Sequence, residues 1–558
     1  MFKRNTGYQQ SELFGFESDL TKKQKLYLHQ STEFTFFKEI FPRINESKFA
    51  HLYSSSKSRP KAPINQLVGA LILKHLYDWT YAELFKNLTF NNLTRYAIGI
   101  SNSRADIFSE ATIFNFQNRV IKHFEETGKD LVTEVFDSLT AGQLEQFNIS
   151  TNIERGDSFL VDSKVIDYSR LRLFIEVLKR LSRVLEGEVK KVFCTLVSQY
   201  ENKTAGQYVY EISRENLPSE LTQIASIYLD IYYLIEEIKN DSLEFKNFKR
   251  VFSEYFIVDD TKIELKQPSE SKSSNLKSPD DPEATFSAKY GKGHIGYSTH
   301  ISETANEENK INLITDVVVV KNNVSDDKIL EQRIPILKDK TPTLSEYFAD
   351  GAYGNEQIDI LNKAHGITQY QTNVKGRKSD ANLRIKKIGE DVTVTCAGGQ
   401  IIKAHKTEKQ YRVFFDAEKC KNCPLNALCK LKRMGGKGAV KKRYYYFANK
   451  NILAHERFQN IEKLPPERRQ TRSNVEATVK ELKRGMRNGK VRIKHRIRVS
   501  FHMAFNAIAV NLRRIHLKTK KVYQNTTCEL EWELTVWINI EKLNKPIMKH
   551  NQKIRKIA

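Results

Sequence analysis

The chain has 558 residues, 91 of them lysine or arginine against 67 aspartate or glutamate, a formal charge of +24, with 40% hydrophobic and 28% charged residues. This excludes an acidic solvated protein and a chain too short to bury a core; the length allows about three to five domains. The cationic excess calls for a polyanionic partner, either nucleic acid or an anionic membrane surface. No stretch approaches the roughly 18 to 20 apolar residues that span a bilayer, and Met1 to Gln10 lacks the apolar segment of a secretory signal. Six cysteines (Cys194, Cys396, Cys420, Cys423, Cys429 and Cys528) are too few and too uneven for a secreted disulfide framework. The expected setting is a reducing cytoplasm with access to DNA or RNA.

Residues 1–150 read as helical. Leu67, Leu71, Ile72 and Leu76 recur at helix spacing, and Thr80 with Glu83 forms a capping box. A helix opening near Ser109 carries an apolar stripe of Ile113, Phe116, Val120 and Phe124, which leaves Asn115, Asn118, Arg119 and Lys122 outward for phosphate and base-edge contact. A bundle's surface helix would show the same pattern, and the turn before it is too long for a simple helix-turn-helix.

Ser158 to Val161 reads as a short buried strand ending at Asp162. Residues 170–240 return to helix, within a helical insert of about 170–275, and Ser269 to Asp281 reads as a polar linker. Strands are expected at Ala284 to Tyr290, Ile295 to Ile301 and Ile311 to Val320, forming a meander. A helix from Ser325 to Leu337 leads to a second short strand, Ser345 to Ala349, that ends at Asp350, with another helix from Asn355. Residues 375–450 read as a β-rich insert holding four of the six cysteines.

The helix expected over Ser473 to Arg487 places Val475, Val479, Leu482 and Met486 on one buried stripe, with Arg472, Glu476, Lys480 and Lys483 on the adjoining face. Asp162 and Asp350 at strand ends, with Glu476 packed against them, would supply the oxygen ligands for two magnesium-type ions. Asp157 and Asp167 are the rivals of Asp162: Asp157 precedes the apolar run, and strand alternation would turn Asp167 to the opposite face.

Three segments resemble bacterial insertion-sequence transposases of the DDE type: Phe159-Leu-Val-Asp-Ser-Lys164, Tyr347-Phe-Ala-Asp-Gly-Ala-Tyr-Gly354 and Arg472-Ser-Asn-Val-Glu-Ala-Thr-Val-Lys-Glu-Leu-Lys483. In one large group the third motif runs Tyr, Arg, Glu, Lys. Arg472, Glu476 and Lys483 fit its spacing, whereas the tyrosine position is Arg469. Asp281-Pro-Glu-Ala284 with Gly296, Tyr297 and His300 is similar to the region between the first two acids, and Phe501 to Arg514 to the closing helix.

The resemblance covers most of residues 60–516. It implies an α/β fold: a ribonuclease H-like mixed sheet flanked by helices, with an all-α N-terminal domain (1–150), a catalytic domain (151–516) carrying the two inserts, and a tail (517–558). It further implies catalytic Asp162, Asp350 and Glu476, two Mg2+ or Mn2+ ions per site, binding of transposon-end and target DNA, strand transfer by the 3′ hydroxyl, and a homodimer on DNA. A structure-specific nuclease of this fold and a non-catalytic DNA-binding descendant are the competing expectations.

Cys396, Cys420, Cys423 and Cys429 provide enough thiolate for a tetrahedral zinc site, with His405 as a substitute ligand, or are four reduced, partly buried thiols. Such a cysteine-bearing insert resembles that of some insertion-sequence transposases. Arg484, Arg487, Lys490, Arg492, Lys494, Arg496 and Arg498 form a basic tract that reads as a DNA-backbone track, alongside Arg472, Lys480 and Lys483. Cys194 and Cys528 are expected to serve packing. Leu530, Trp532, Leu534 and Val536 alternate like a strand of no assigned role.

Overall fold

The computed structural model describes residues 2–9, 16–53, 62–100, 102, 105–166, 168–259, 262–371, 383–408, 410–434 and 442–520. Asp167, Cys528 and the alternating segment around Trp532 therefore lie outside the described residues. Among those described, no helix is long and apolar enough to cross a membrane. The chain divides into two compact units: residues 1–150 with 307–314 and 504 onward, and residues 151–306 with 315–503.

The first unit is helical. The Thr80–Glu83 capping box forms as expected, and Ser109 caps α1, Glu110–Thr127. The α1 stripe of Ile113, Phe116 and Val120 is buried, while Arg119 and Lys122 are exposed.

The second unit is built on a six-stranded sheet: β1 (Ile153–Asp162), β2 (Thr285–Lys289), β3 (Lys292–Thr304), β4 (Ile314–Lys321), β5 (Glu346–Ala349) and β6 (Thr368–Gln371). The order is β2-β3-β1-β5-β6, with β4 also on β3. The hairpin partners β2–β3 and the β1–β3 pair run antiparallel, while β1–β5 and β5–β6 run parallel. Because β3 serves β1, β2 and β4, the three strands expected as a meander are joined into a larger mixed sheet.

β1 begins five residues ahead of the apolar run that announced it. Its first half carries Glu154 and Arg155, both buried, and so offers no apolar alternation to read. Arg155 Nε donates to Glu303 Oε1 on β3 at 2.7 Å, and Arg155 Nη1 to the Thr471 carbonyl at 3.0 Å. Thr478 Oγ1 donates to the other Glu303 oxygen at 2.7 Å. The buried pair thereby ties the sheet to the segment ahead of α4 (Val475–Leu482) and to the middle of that helix. A further helix follows the same logic. α2 (Asp326–Lys340) is pinned to β4 by Arg333 and Lys340, both 2.8 Å from fully buried Asp316. Burial alone would raise that carboxyl, but the two cations hold it at about 2. α3 (Glu356–His365) is capped by Asn355, as expected.

The segment expected as a linker is folded in. Leu276, Ser278 and Asp281 are buried, and Asp281 accepts from Ser163 Oγ (2.5 Å), Tyr297 Oη (2.6 Å) and the His495 amide (2.9 Å). A polar, proline-containing stretch can be interior when every buried group has a partner. The helical insert has its own core around Phe174, Tyr228 and Phe248, against which Cys194 packs, and it ends in an unforeseen hairpin, Phe256–Asp259 with Lys262–Leu265. The cysteine-bearing region is β-rich, with one three-stranded and one four-stranded sheet.

Two stability measurements follow. Glu303→Ala strands the Arg155 guanidinium in the interior, and chemical denaturation is expected to show a loss of about 3–5 kcal/mol. Burial lifts the Glu154 carboxyl from 4.5 to about 8. Between those values the unfolded chain has released a proton that the folded chain retains, so this group's contribution to stability declines as pH rises through that window. Thermal melts of Glu154→Gln and the parent should agree below pH of about 5 and separate by at least about 2–4 °C near pH of about 8, the variant melting higher.

Candidate functional site

The β1–β5 register pairs Ile153 with Glu346, Glu154 with Tyr347 and Arg155 with Phe348. Continued by two residues, it sets Asp157 abreast of Asp350, the residue that follows β5. Asp162 is five residues further along β1, roughly 16 Å away at about 3.3 Å per residue. On this continuation Asp157, rather than Asp162, is level with Asp350. Burial holds the Asp157 carboxyl above the ordinary aspartate range, against the pull of Arg472. The Asp350 carboxylate accepts the Gly351 amide at 2.7 Å.

Glu476 lies in the first turn of α4. This helix ends at Leu482, short of the expected Arg487, because Gly485 takes a left-handed φ of 82°. Its buried stripe is Val475, Thr478 and Leu482; Val479 is half-buried and Met486 lies beyond the helix. Arg472 joins two acids: its Nη2 is 2.7 Å from Asp157 Oδ2 and its Nη1 is 3.0 Å from Glu476 Oε1. The Arg472 side chain is 15% exposed and that of Glu476 68%. Lys483 stands 5.0 Å over the Phe159 ring; burial and Lys289 hold its ammonium below the usual lysine range, opposed by Asp157 and Asp162. Lys480 is exposed.

Asp162 has a different environment. Its Oδ1 is 2.9 Å from His294 Nδ1, and its backbone is bonded on both sides to the basic tract: Asp162 N to the Gly489 carbonyl (3.0 Å) and Val491 N to the Asp162 carbonyl (2.9 Å). Lys164 N continues this pairing to the Ile493 carbonyl. The tract thus extends the end of β1. Arg484, Arg487 and Arg492 are exposed on it, whereas the Lys490 ammonium donates to the Val165 carbonyl at 2.7 Å and Lys494 pairs with Asp280 at 2.8 Å. In the first unit, the Arg119 guanidinium sits 4.7 Å over the Tyr53 ring and Lys122 lies 3.6 Å from Glu126.

A hydroxyl and imidazole network links the two acid-bearing strands. Ser158 Oγ lies 2.6 Å from Tyr353 Oη and 3.2 Å from His300 Nδ1, His300 Nε2 is 3.3 Å from Tyr347 Oη, and Tyr347 Oη is 2.8 Å from Ser302 Oγ. Burial lowers the His300 pKa to about 4, so the ring is neutral at neutral pH. Gly156 is required here, because a Cβ at this position would stand 1.9 Å from Tyr347 Oη. Sequence patterning named Asp157 only as a rival of Asp162, because it precedes the apolar run. The Asp-Ser dipeptide at 157–158, matching that at 162–163, was the available signal.

Cys396, Cys420, Cys423 and Cys429 line a single cavity of about 170 Å³, while His405 is exposed on a separate strand. All four are free thiols, and Cys420 is raised above the ordinary thiol range by burial. Arg443 braces the loop between them by donating to the Cys429 and Leu431 carbonyls at 2.8 and 3.2 Å and to Asn426. Among the described residues, no group of three or more His, Cys, Asp or Glu side chains is arranged to hold a metal ion.

Residues 395–516 match the family described as "Transposase DDE domain", and residues 26–119 match "Transposase domain (DUF772)". The first match contains the four clustered cysteines, Arg472, Glu476 and the basic tract; Asp157, Asp162 and Asp350 lie outside it. No curated protein and no solved structure matches the chain. The two family matches, one at each side of the acid-bearing sheet in sequence, support an insertion-sequence transposase of the DDE type.

Proposed function

We propose that the chain binds transposon-end DNA, cleaves it with an acid set of Asp157, Asp350 and Glu476, and joins the liberated 3′ hydroxyl to target DNA. The observation that carries this reading is the β1–β5 register with the Arg472 bridge: continued two residues past Arg155–Phe348, the register would bring Asp157 level with Asp350, and one guanidinium spans from Asp157 to Glu476. A sheet with three antiparallel members and two parallel strands beside β1 supports a ribonuclease H-like core for the second unit. Asp162, taken up by His294 and the basic tract, serves the end of the strand in this reading.

The donor chemistry fits a hard divalent cation such as Mg2+ or Mn2+. All three side chains offer carboxylate oxygens, and a cationic group, Arg472, already lies between two of them. Two such ions, when bound, would activate the attacking water or 3′ hydroxyl and stabilise the leaving oxygen. The protein's own part is positional. The Arg155–Glu303–Thr478 bonds hold α4 against the sheet, and the His300 network holds β1 against β5. Arg484, Arg487 and Arg492, with Lys480, Lys483 and Lys490 nearby in sequence and Arg119 and Lys122 on α1, supply the charge for the DNA backbone, and DNA affinity falls steeply with salt. Two transposon ends in one complex call for a homodimer on DNA. The four-cysteine cavity would hold a structural Zn2+ once its thiolates, from the end of the strand Asp391–Thr395, the helix Ala417–Lys421 and the turns after it, close around the ion.

The decisive comparison is between two aspartates. Asp157→Asn is expected to reduce magnesium-dependent nicking of DNA bearing the element's own ends by at least about 10-fold, while Asp162→Asn retains most of it. The opposite ranking overturns the assignment, and nicking without joined product in the parent identifies a nuclease instead. Metal analysis of protein purified without chelator should give about one zinc per chain, lost in the double variant Cys420→Ser, Cys423→Ser; a zinc-free parent overturns the zinc assignment.

A further inference from the structure

Building on the acid-set reading, we propose that Arg472 couples divalent-metal binding to DNA binding: without DNA its guanidinium is the counter-cation of Asp157 and Glu476, and a backbone phosphate draws it off and releases both carboxylates to the metal. Arg472 occupies the oxygens that the metal would use. It donates to Asp157 at 2.7 Å and to Glu476 at 3.0 Å from a side chain that is largely buried, where such charge-assisted bonds are strong and screening is weak. A divalent cation entering between those carboxylates meets a positive charge already in place, so the two cations exclude one another.

Three features make the guanidinium movable and direct it to phosphate. Its backbone is held, since the preceding Thr471 carbonyl accepts from Arg155 and the following helix is tied to Glu303 through Thr478, so the long side chain alone needs to swing. Its Nε is buried without a hydrogen-bond partner, so the present arrangement leaves a donor unspent that a bidentate phosphate contact would use. Glu476, its exposed partner, lies on the solvent side, so an approaching phosphate meets the weaker of the two bonds first. Lys483, the other cation close to Asp157, is instead over the Phe159 ring. Exchange of Arg472 from carboxylate to phosphate makes each ligand favour the other, and the coupling is reciprocal.

The test measures Mn2+ affinity of the full chain by electron paramagnetic resonance, with and without a duplex carrying the transposon end. In the parent, DNA is expected to tighten Mn2+ binding by about 5- to 150-fold. In Arg472→Ala, and in Arg472→Gln, which keeps the side-chain bulk if the alanine variant melts early, Mn2+ binding without DNA is tighter than in the parent, DNA adds little to it, and DNA affinity falls. Mn2+ affinity equal to or weaker than the parent's in folded, DNA-free Arg472→Gln overturns the proposal. Failure of the acid set itself reads differently: Asp157→Asn would then bind Mn2+ as the parent does, whatever happens at Arg472.

Discussion

A single buried ion pair, Arg155 with Glu303, governs the geometry of the acid-bearing unit. It joins β1 to β3, reaches the residue ahead of Arg472 through the Thr471 carbonyl and takes in the middle of α4 through Thr478. An interior ion pair pays a desolvation cost that is met only when all its oxygens and protons are used, and here both Glu303 oxygens and two Arg155 nitrogens are engaged. Such a pair adds little net stability over an apolar substitute, but it admits one arrangement of three chain segments that are far apart in sequence. Glu476 inherits its position from it.

A second constraint acts between β1 and β5. Strand pairing there is short, three residue pairs, and a slip of one residue would move Asp157 away from Asp350 and reverse the faces of the side chains. The His300 network spans those strands with hydroxyls from Ser158, Tyr347 and Tyr353, and the missing side chain at Gly156 makes room for the Tyr347 hydroxyl. Polar groups with directional bonds specify register more sharply than apolar contacts do, which compensates for the brevity of the ladder.

The charge distribution follows the same division of labour. Cations close to the acids are restrained: Arg472 by two carboxylates, Lys483 by an aromatic face, Lys490 and Lys494 by a carbonyl and a carboxylate. Arg484, Arg487 and Arg492 on the adjoining tract are exposed. The restrained set shapes the site, and the exposed set is free to meet a polyanion.

Much was legible in the amino-acid order alone. Helix caps at Thr80, Ser109 and Asn355, the strand just ahead of Asp350, the helix that bears Glu476 and the gathering of four cysteines in a β-rich region all follow from local rules of capping, periodicity and spacing. Three matters were decided by tertiary structure. β1 starts earlier than its apolar run because Glu154 and Arg155 are buried, Arg155 against a partner 148 positions away. The stretch ending at Asp281 is interior because distant hydroxyls and an amide satisfy it. Asp157 and Asp350 each lie two residues beyond the last β1–β5 pair, whereas Asp162 lies seven beyond it, because parallel register is a property of two strands, and no pattern within either strand records it. Local sequence sets which residues can form an element; which carboxylates meet depends on long-range pairing of buried polar groups, whose partners are chosen only when the chain is folded.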